Sequence, residues 1–145
     1  METTCLLIKP DGVAEAHVGE IVARIEEEGF TIRGIRLVRL GRPKAEAFYA
    51  IHRGRPFFEG LIEYMTSGPI VAIALEREDA VEHLRHMIGA TDPTDAEEGT
   101  IRAMFGKDIG MNTVHGSDSV ENGIREVLFF FPKEELVELG VSAGG

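Results

Sequence analysis

The stretch NTVHGSDS at residues 112–119 gathers residue types that could carry chemistry. His115 is followed by a glycine, which lets the backbone turn sharply or approach a ligand closely, and then by a hydroxyl residue and an acid. Imidazole titrates near neutrality and acts as nucleophile or proton carrier when a carboxylate fixes its orientation. Asp118, Glu121 and Glu126 are the candidate carboxylates, and the residues alone leave the choice open, because Asp118 could simply cap the following helix. Arg85 and Arg102 suit a phosphoryl group, since guanidinium pairs with phosphate through two parallel hydrogen bonds; surface ion pairs are the alternative. Lys9 stands immediately before Pro10-Asp11-Gly12, where a first strand would end, and functional groups collect at strand ends. Phe57 and Phe58, after Pro56, offer either a stacking face for a base or a pair of core phenylalanines. His83 and His86 could share a metal, but three-residue spacing on a helix reads better as a solvated face. The sequence contains no GxxxxGK[ST], no GxGxxG after a strand and no HExxH.

The elements that must position these residues follow from hydrophobic spacing and turn chemistry. Residues 3–9 form a β-compatible run closed by a Pro-Asp-Gly turn signal. Val18, Ile21, Val22 and Ile25 recur at helical spacing up to Gly29, and residues 30–40 read as a strand that is irregular near Gly34. Helices are predicted over 44–53 and from Pro56 to Met65, followed by a central strand IVAIAL at 70–75. Asp79 is expected to cap a helix carrying Val81, Leu84 and Ile88, stopped by Gly89. Residues 89–118 are rich in glycine and polar groups, with short helices predicted at Thr94-x-x-Glu97 and around TIRAMF; so long an irregular run usually serves function. Ser119 is expected to cap a helix carrying Val120, Ile124 and Val127, ahead of a strand VLFFF at 127–131 and a last helix PKEELVEL. The order β-α-β, helical crossover, β-α-β predicts an α/β (α+β) fold: a ferredoxin-like sandwich with a four-stranded antiparallel sheet covered by helices.

Composition narrows the function classes. A length of 145 residues suits a single domain spanning 1–145. The net charge of -10, from 25 acidic and 15 basic residues, disfavours nucleic acid as a partner while leaving room for a local cluster of arginines around a nucleotide. No apolar run approaches the roughly 18 residues needed to cross a bilayer, so no membrane partner is expected. METTCLLIKPDG has no basic region and does not read as a secretory signal, and the single cysteine, Cys5, fits a reducing cytoplasm. Only Lys9, Lys44, Lys107 and Lys133 are lysines, a balance that suits either a saline habitat or lineage bias. A ferredoxin-like RNA-binding module is a rival reading, which would require exposed aromatic side chains on the sheet and a basic face.

KPDGV at 9–13, RPFF at 55–58, SGPIVAIALE at 67–76, GATDP at 89–93, GTIR at 99–102 and NTVHGSDS at 112–119 together resemble nucleoside diphosphate kinase. The resemblance runs in order from about Thr3 to Leu136. It implies ping-pong transfer of the terminal phosphate from nucleoside triphosphates to nucleoside diphosphates through a phosphohistidine, with Mg²⁺ held mainly by the nucleotide phosphates. Carried onto this chain, it implies His115 as the phosphorylated nucleophile, Glu126 as its orienting carboxylate and Ser117 nearby. Lys9, Arg85, Thr91 and Arg102 would contact phosphates, Tyr49 would line the site, Asn112 would contact the ribose and Phe57 would stack on the base. A homo-oligomer is implied, with a hexamer favoured and a tetramer or dimer as alternatives. A catalytically weak relative kept as a binding protein would have lost a site residue, and none of these positions is lost. The chain departs from the family pattern at Met111, where arginine is usual, and at Glu15-Ala16-His17, which lacks the usual basic residue and glycine. Both departures fall where the resemblance implies subunit contacts. The terminal GVSAGG is short beside the tails of many relatives.

Overall fold

The computed structural model describes residues 1–138, with side chains described as far as Leu136, so GVSAGG lies outside the described residues. Strand β1 (Glu2–Ile8) is buried from Thr3 onward, as a strand of TTCLLI must be at the centre of a sheet covered on both faces. It pairs antiparallel with β3 (Ile70–Arg77) on one side and with β4 (Val114–Gly116) on the other; β2 (Thr31–Val38) pairs antiparallel with β3, giving the order β2-β3-β1-β4. A register shift between Ile32 and Gly34 is the irregularity expected in β2.

Alternation along the two central strands divides the core. Cys5 and Leu7 of β1, with Ala72 and Ala74 of β3, pack with residues of α3 (Arg42–Phe48), α4 (Phe58–Met65) and α7 (Val120–Phe130). Leu6, Ile8, Val71, Ile73 and Leu75 pack with α2 (Val18–Glu27), α5 (Ala80–Ile88) and Ile101 of α6 (Ile101–Phe105). Helices cover both faces of the central strands β1 and β3, which therefore present no open aromatic surface of the kind an RNA-binding module would require. The result is a ferredoxin-like sandwich. Among the described residues, no helix is long and apolar enough to cross a membrane.

The largest correction concerns the fourth strand. VLFFF at 127–131 is not a strand: Val127–Phe130 forms the end of α7 and buries Val127 and Phe130, while Phe131 follows in extended conformation. A five-residue apolar run fits a buried helix as well as a strand, and here the helix continues through it. The sheet is completed by Val114, His115 and Gly116, a strand too short to show periodicity. α7 can lie close to β1 because residue 123 is glycine; a Cβ there would meet the Thr3 carbonyl oxygen at 2.6 Å.

Smaller corrections follow from caps and turns. Pro10-Asp11-Gly12 opens a one-turn helix, α1 (Pro10–Ala14), with proline in the first turn where no amide donor is required. The helix predicted over 44–53 runs as α3 over Arg42–Phe48 and then a 3₁₀ turn at Ala50–His52, while α4 starts only at Phe58. Ser119 caps α7 as expected, accepting from Asn122 N. Asp79 lies at the N-cap of α5 in left-handed conformation with no side-chain capping bond. Thr94 and Glu97 form no capping box; Asp92 accepts from Thr94 N and opens a 3₁₀ turn at Pro93–Asp95, while Thr100 caps α6. The last helix, α8, spans Lys133–Glu138.

Candidate active site

The pairing of β4 with β1 aims the histidine. His115 stands opposite Leu7 and Gly116 opposite Leu6, and residues directly opposite in an antiparallel pair share a face. His115 therefore looks toward α3 and α7. Gly116 faces α5 instead, where a Cβ would lie 2.7 Å from Ile88 Cδ1. Its φ is not positive, so of the two roles expected from the sequence a sharp left-handed turn is not what calls for glycine here; the close packing of α5 does.

On the α7 side, His115 Nε2 lies 2.8 Å from Glu126 Oε1, and Ser117 Oγ donates to the same oxygen at 2.7 Å. Ser117 Oγ in turn accepts from Cys5 N at 3.1 Å. Glu126 and Ser117 are buried. An ionised carboxylate only accepts, so Nε2 carries the hydrogen of the neutral ring and the lone pair is left on Nδ1. Phe48 presents an edge to the imidazole at 5.7 Å between ring centroids, and Tyr49 does so at 6.3 Å. Burial, reinforced by the charge of Glu126, pushes the Tyr49 hydroxyl and the Cys5 thiol above their ordinary pKa values, so both stay protonated beside the site.

The other two candidate carboxylates are elsewhere. Glu121 is exposed, and Asp118 accepts from Asn122 Nδ2 at 2.6 Å. That bond, followed by the nearby Arg85, lowers the Asp118 pKa.

A group of cations gathers where the end of β1 and the irregular segment meet β4. Lys9 Nζ donates to Asn112 Oδ1 at 2.8 Å, and Asn112 Nδ2 donates to the Thr91 carbonyl at 2.9 Å. Arg102 donates to the carbonyls of Gly89 at 3.0 Å and Val114 at 2.9 Å, which ties the irregular segment to β4. Burial lowers the Lys9 pKa to about 8, with Arg102 adding to the fall and Asp11 opposing it. Burial likewise lowers Arg102 to about 10, assisted by Arg85. Arg102 is in electrostatic reach of both Lys9 and Arg85, and such a gathering of cations is costly by itself and relieved by an anion. Phe57 is 52% exposed and sets its ring against His52 at 5.3 Å; His52 stacks at 6.2 Å on Tyr49, so a row of rings leads from His115 to the surface.

Sequence reading missed Phe48 as a neighbour of the imidazole, Cys5 as the support of Ser117, and Asp11. Phe48 has no polar group to mark it as a neighbour of the imidazole, and Asp11 was hidden inside a turn motif. His83 pairs with Glu28 at 3.1 Å, and no group of three or more His, Cys, Asp or Glu among the described residues could hold a metal.

The sequence model of the nucleoside diphosphate kinase family matches residues 2–136. The chain belongs to the nucleoside diphosphate kinase family. It is 52% identical over 137 residues to the nucleoside diphosphate kinase of Chlamydia felis, covering 94% of this chain and 97% of that one. Identity to the enzyme of Pelotomaculum thermopropionicum is also 52%, over 141 residues and 97% and 95% of the two chains. Among solved structures, the Aquifex aeolicus nucleoside diphosphate kinase matches with a TM-score of 0.91 at 43% identity, covering 92% of this chain and 97% of that one. A halophilic nucleoside diphosphate kinase from Halobacterium salinarum, solved in complex with CDP, matches with a TM-score of 0.89 at 41% identity, over 92% and 90% of the chains.

As a member of the nucleoside diphosphate kinase family, the chain is a phosphotransferase: it passes the terminal phosphoryl group of a nucleoside triphosphate to a nucleoside diphosphate through a phosphohistidine. Family members use Mg²⁺ and are oligomers. At one departure from the family pattern, Glu15 forms an ion pair with Lys107, and His17 stacks on Phe105 at 4.2 Å. These contacts fasten the α1–α2 corner to the irregular segment within one chain. Met111 is half-buried, and its amide donates to Asp108 Oδ1 at 2.8 Å.

Proposed function

We propose that His115 accepts the phosphoryl group on Nδ1 and that the surrounding residues divide the remaining work. The commitment of Nε2 to Glu126 carries this reading, because it leaves Nδ1 as the free nucleophilic nitrogen. As the Nδ1–P bond forms, the bond from phosphorus to the bridging oxygen breaks and the nucleoside diphosphate departs with that electron pair. Glu126, steadied by Ser117, offsets the positive charge that grows on the ring. A second diphosphate then attacks the phosphoryl group, and the imidazole is regenerated.

Lys9, Arg85, Arg102 and Thr91 would hold the phosphates, and Asn112, already bonded to Lys9 and Thr91, would place the ribose. Phe57 at the rim would stack on the base, a contact that reads the face of the ring and tolerates purines and pyrimidines alike. Tyr49 is buried, protonated and without a hydrogen-bond partner among the described residues, which supports a place in the lining of the site. Mg²⁺ would neutralise charge on the phosphate oxygens and help align them for in-line transfer. The cationic lining fits a metal carried mainly by the nucleotide rather than by protein ligands.

The whole chain, 1–145, would form one domain and assemble as a homo-oligomer, a hexamer in the first instance and otherwise a tetramer or dimer. The β2 edge supports self-association, since Ile35 and Leu37 there are 52% and 65% exposed. The deciding experiment for the transfer itself is intact-protein mass at neutral or alkaline pH after brief exposure to ATP and Mg²⁺. The natural chain is expected to gain one phosphoryl group and lose it on addition of GDP or CDP, while His115→Ala gains none. No gain on the natural chain would overturn the proposal.

A further inference from the structure

Thr113, one residue before β4, has a φ of +75°, a region that a β-branched residue rarely enters, and Val114 N donates to the Asn112 carbonyl across it at 2.9 Å, the bond of a tight three-residue turn. Such a conformation persists where its surroundings over-determine it. The Thr113 carbonyl accepts from Lys9 N at 2.8 Å, and Thr113 Oγ1 donates to Asp11 Oδ2 at 3.0 Å. The other carboxylate oxygen, Asp11 Oδ1, accepts from the Tyr64 hydroxyl, whose oxygen accepts from Asp11 N at 3.3 Å. Asp11 and Thr113 are buried. One carboxylate thus joins α1, α4 and the lead-in to β4. Lys9 lies two residues before it, and His115 lies two residues after Thr113.

We propose that Asp11 is a positioning residue, which through Thr113 sets the strand bearing His115 against the backbone bearing Lys9. This inference rests on the reading of Lys9 and His115 as the phosphoryl site. Without the carboxylate the side-chain hold on Thr113 is lost and only the backbone bonds from Lys9 N to the Thr113 carbonyl and from Val114 N to the Asn112 carbonyl remain, so the strand bearing His115 is freer to shift relative to the phosphate-holding lysine. A displacement of about 1 Å between reacting groups can slow a step about 100-fold. Asp11 also has an electrostatic part: Lys9 faces Arg102, Asp11 and the Asn112 amide oxygen that accepts from it, and Asp11 is the one charged group among these that favours the protonated amine. Lys107 is a further cation within reach of Asp11.

The test is single-turnover phosphorylation of His115 by saturating ATP and Mg²⁺, followed across pH in the full chain. Thr113→Val keeps the branched shape and loses the hydroxyl, Thr113→Ser keeps the hydroxyl, and Asp11→Asn keeps the size of Asp11 and loses its charge. Thr113→Val and Asp11→Asn are expected to be about 10-fold to 100-fold slower, with Thr113→Ser restored to near the natural rate. The alkaline fall-off is expected to move to lower pH in Asp11→Asn and to stay in place in Thr113→Val. Natural rates in both Asp11→Asn and Thr113→Val would overturn the inference, as would a Thr113→Ser variant as slow as Thr113→Val. If Asp11→Asn fails to fold, the Thr113 pair decides alone. Lys9→Ala run alongside separates the two levels: full activity there sinks the site reading. Loss of activity in Lys9→Ala beside unaffected Asp11→Asn and Thr113→Val sinks only the role of Asp11.

Discussion

A lysine ammonium taken out of water beside an arginine gives up its proton more readily than an exposed one, and Lys9 is in that position, with a pKa lowered to about 8. In the free enzyme the ammonium is present below that pH and lost above it. kcat/KM for nucleotide is therefore expected to fall above about pH 8, while kcat falls only at higher pH, because bound phosphates favour the protonated amine. Lys9→Arg removes this titration from the working range. A kcat/KM profile of the natural enzyme that stays flat from pH 7 to about 10 would show that the charge of Lys9 does not serve binding. The stability sign is opposite. Between about 8 and the ordinary lysine value of 10.5 the unfolded chain binds more protons, so the Lys9 contribution makes the fold more stable as pH rises through that window.

The elements act as a vice around β4. Gly116 allows α5 to approach one side of the strand, and Gly123 allows α7 to lie on β1 beside the other, with Glu126 three residues further along the same helix. A methyl group at position 123 would meet backbone, the Thr3 carbonyl oxygen at 2.6 Å, rather than the end of a flexible side chain. Gly123→Ala should therefore lift α7, costing about 1–3 kcal/mol of stability as overpacking does, and should draw Glu126 away from His115. Thermal unfolding and the rate of His115 phosphorylation check both parts. A variant with an unchanged midpoint and rate would mean that α7 is not seated as closely as described.

At the scale of the whole molecule, the charge of -10 dominates. Ion pairs such as Arg33–Glu76 at 3.2 Å and Arg42–Glu59 engage some carboxylates, but ten remain in excess of the basic residues. Salt shortens the range of their mutual repulsion from about 10 Å at 0.1 M to about 3 Å at 1 M. The thermal midpoint is therefore expected to rise with added NaCl, and sedimentation should show the oligomer better held at high salt. A midpoint that falls steadily with salt would mean that attractive pairs outweigh the excess charge, and would leave the scarcity of lysine without a physical consequence.

Much of the fold, and the residues that gather at the candidate site, were legible in the sequence, because strong periodicities and linear motifs each span several residues. IVAIAL announced the central strand, the spacing of Val81, Leu84 and Ile88 announced α5, and KPDG with HGSDS carried the resemblance that implied phosphotransfer. Local pattern does not report what an apolar run packs against, so VLFFF could not be told from a buried strand. Nor could a three-residue strand announce itself, although Val114–Gly116 completes the sheet and bears His115. The residues alone left three carboxylates open for His115; α7 packing on β1 placed Glu126 at 2.8 Å and left Glu121 and Asp118 elsewhere. Asp11 looked like part of a turn, and only its burial against Thr113 and Tyr64 revealed a clamp. The sequence by itself determined residue chemistry and the order of elements, which are properties of neighbours along the chain. The tertiary structure decided which strand closes the sheet, which carboxylate meets the imidazole and where the backbone holds strain, because each depends on groups brought together across about 10 to 100 residues of chain by burial.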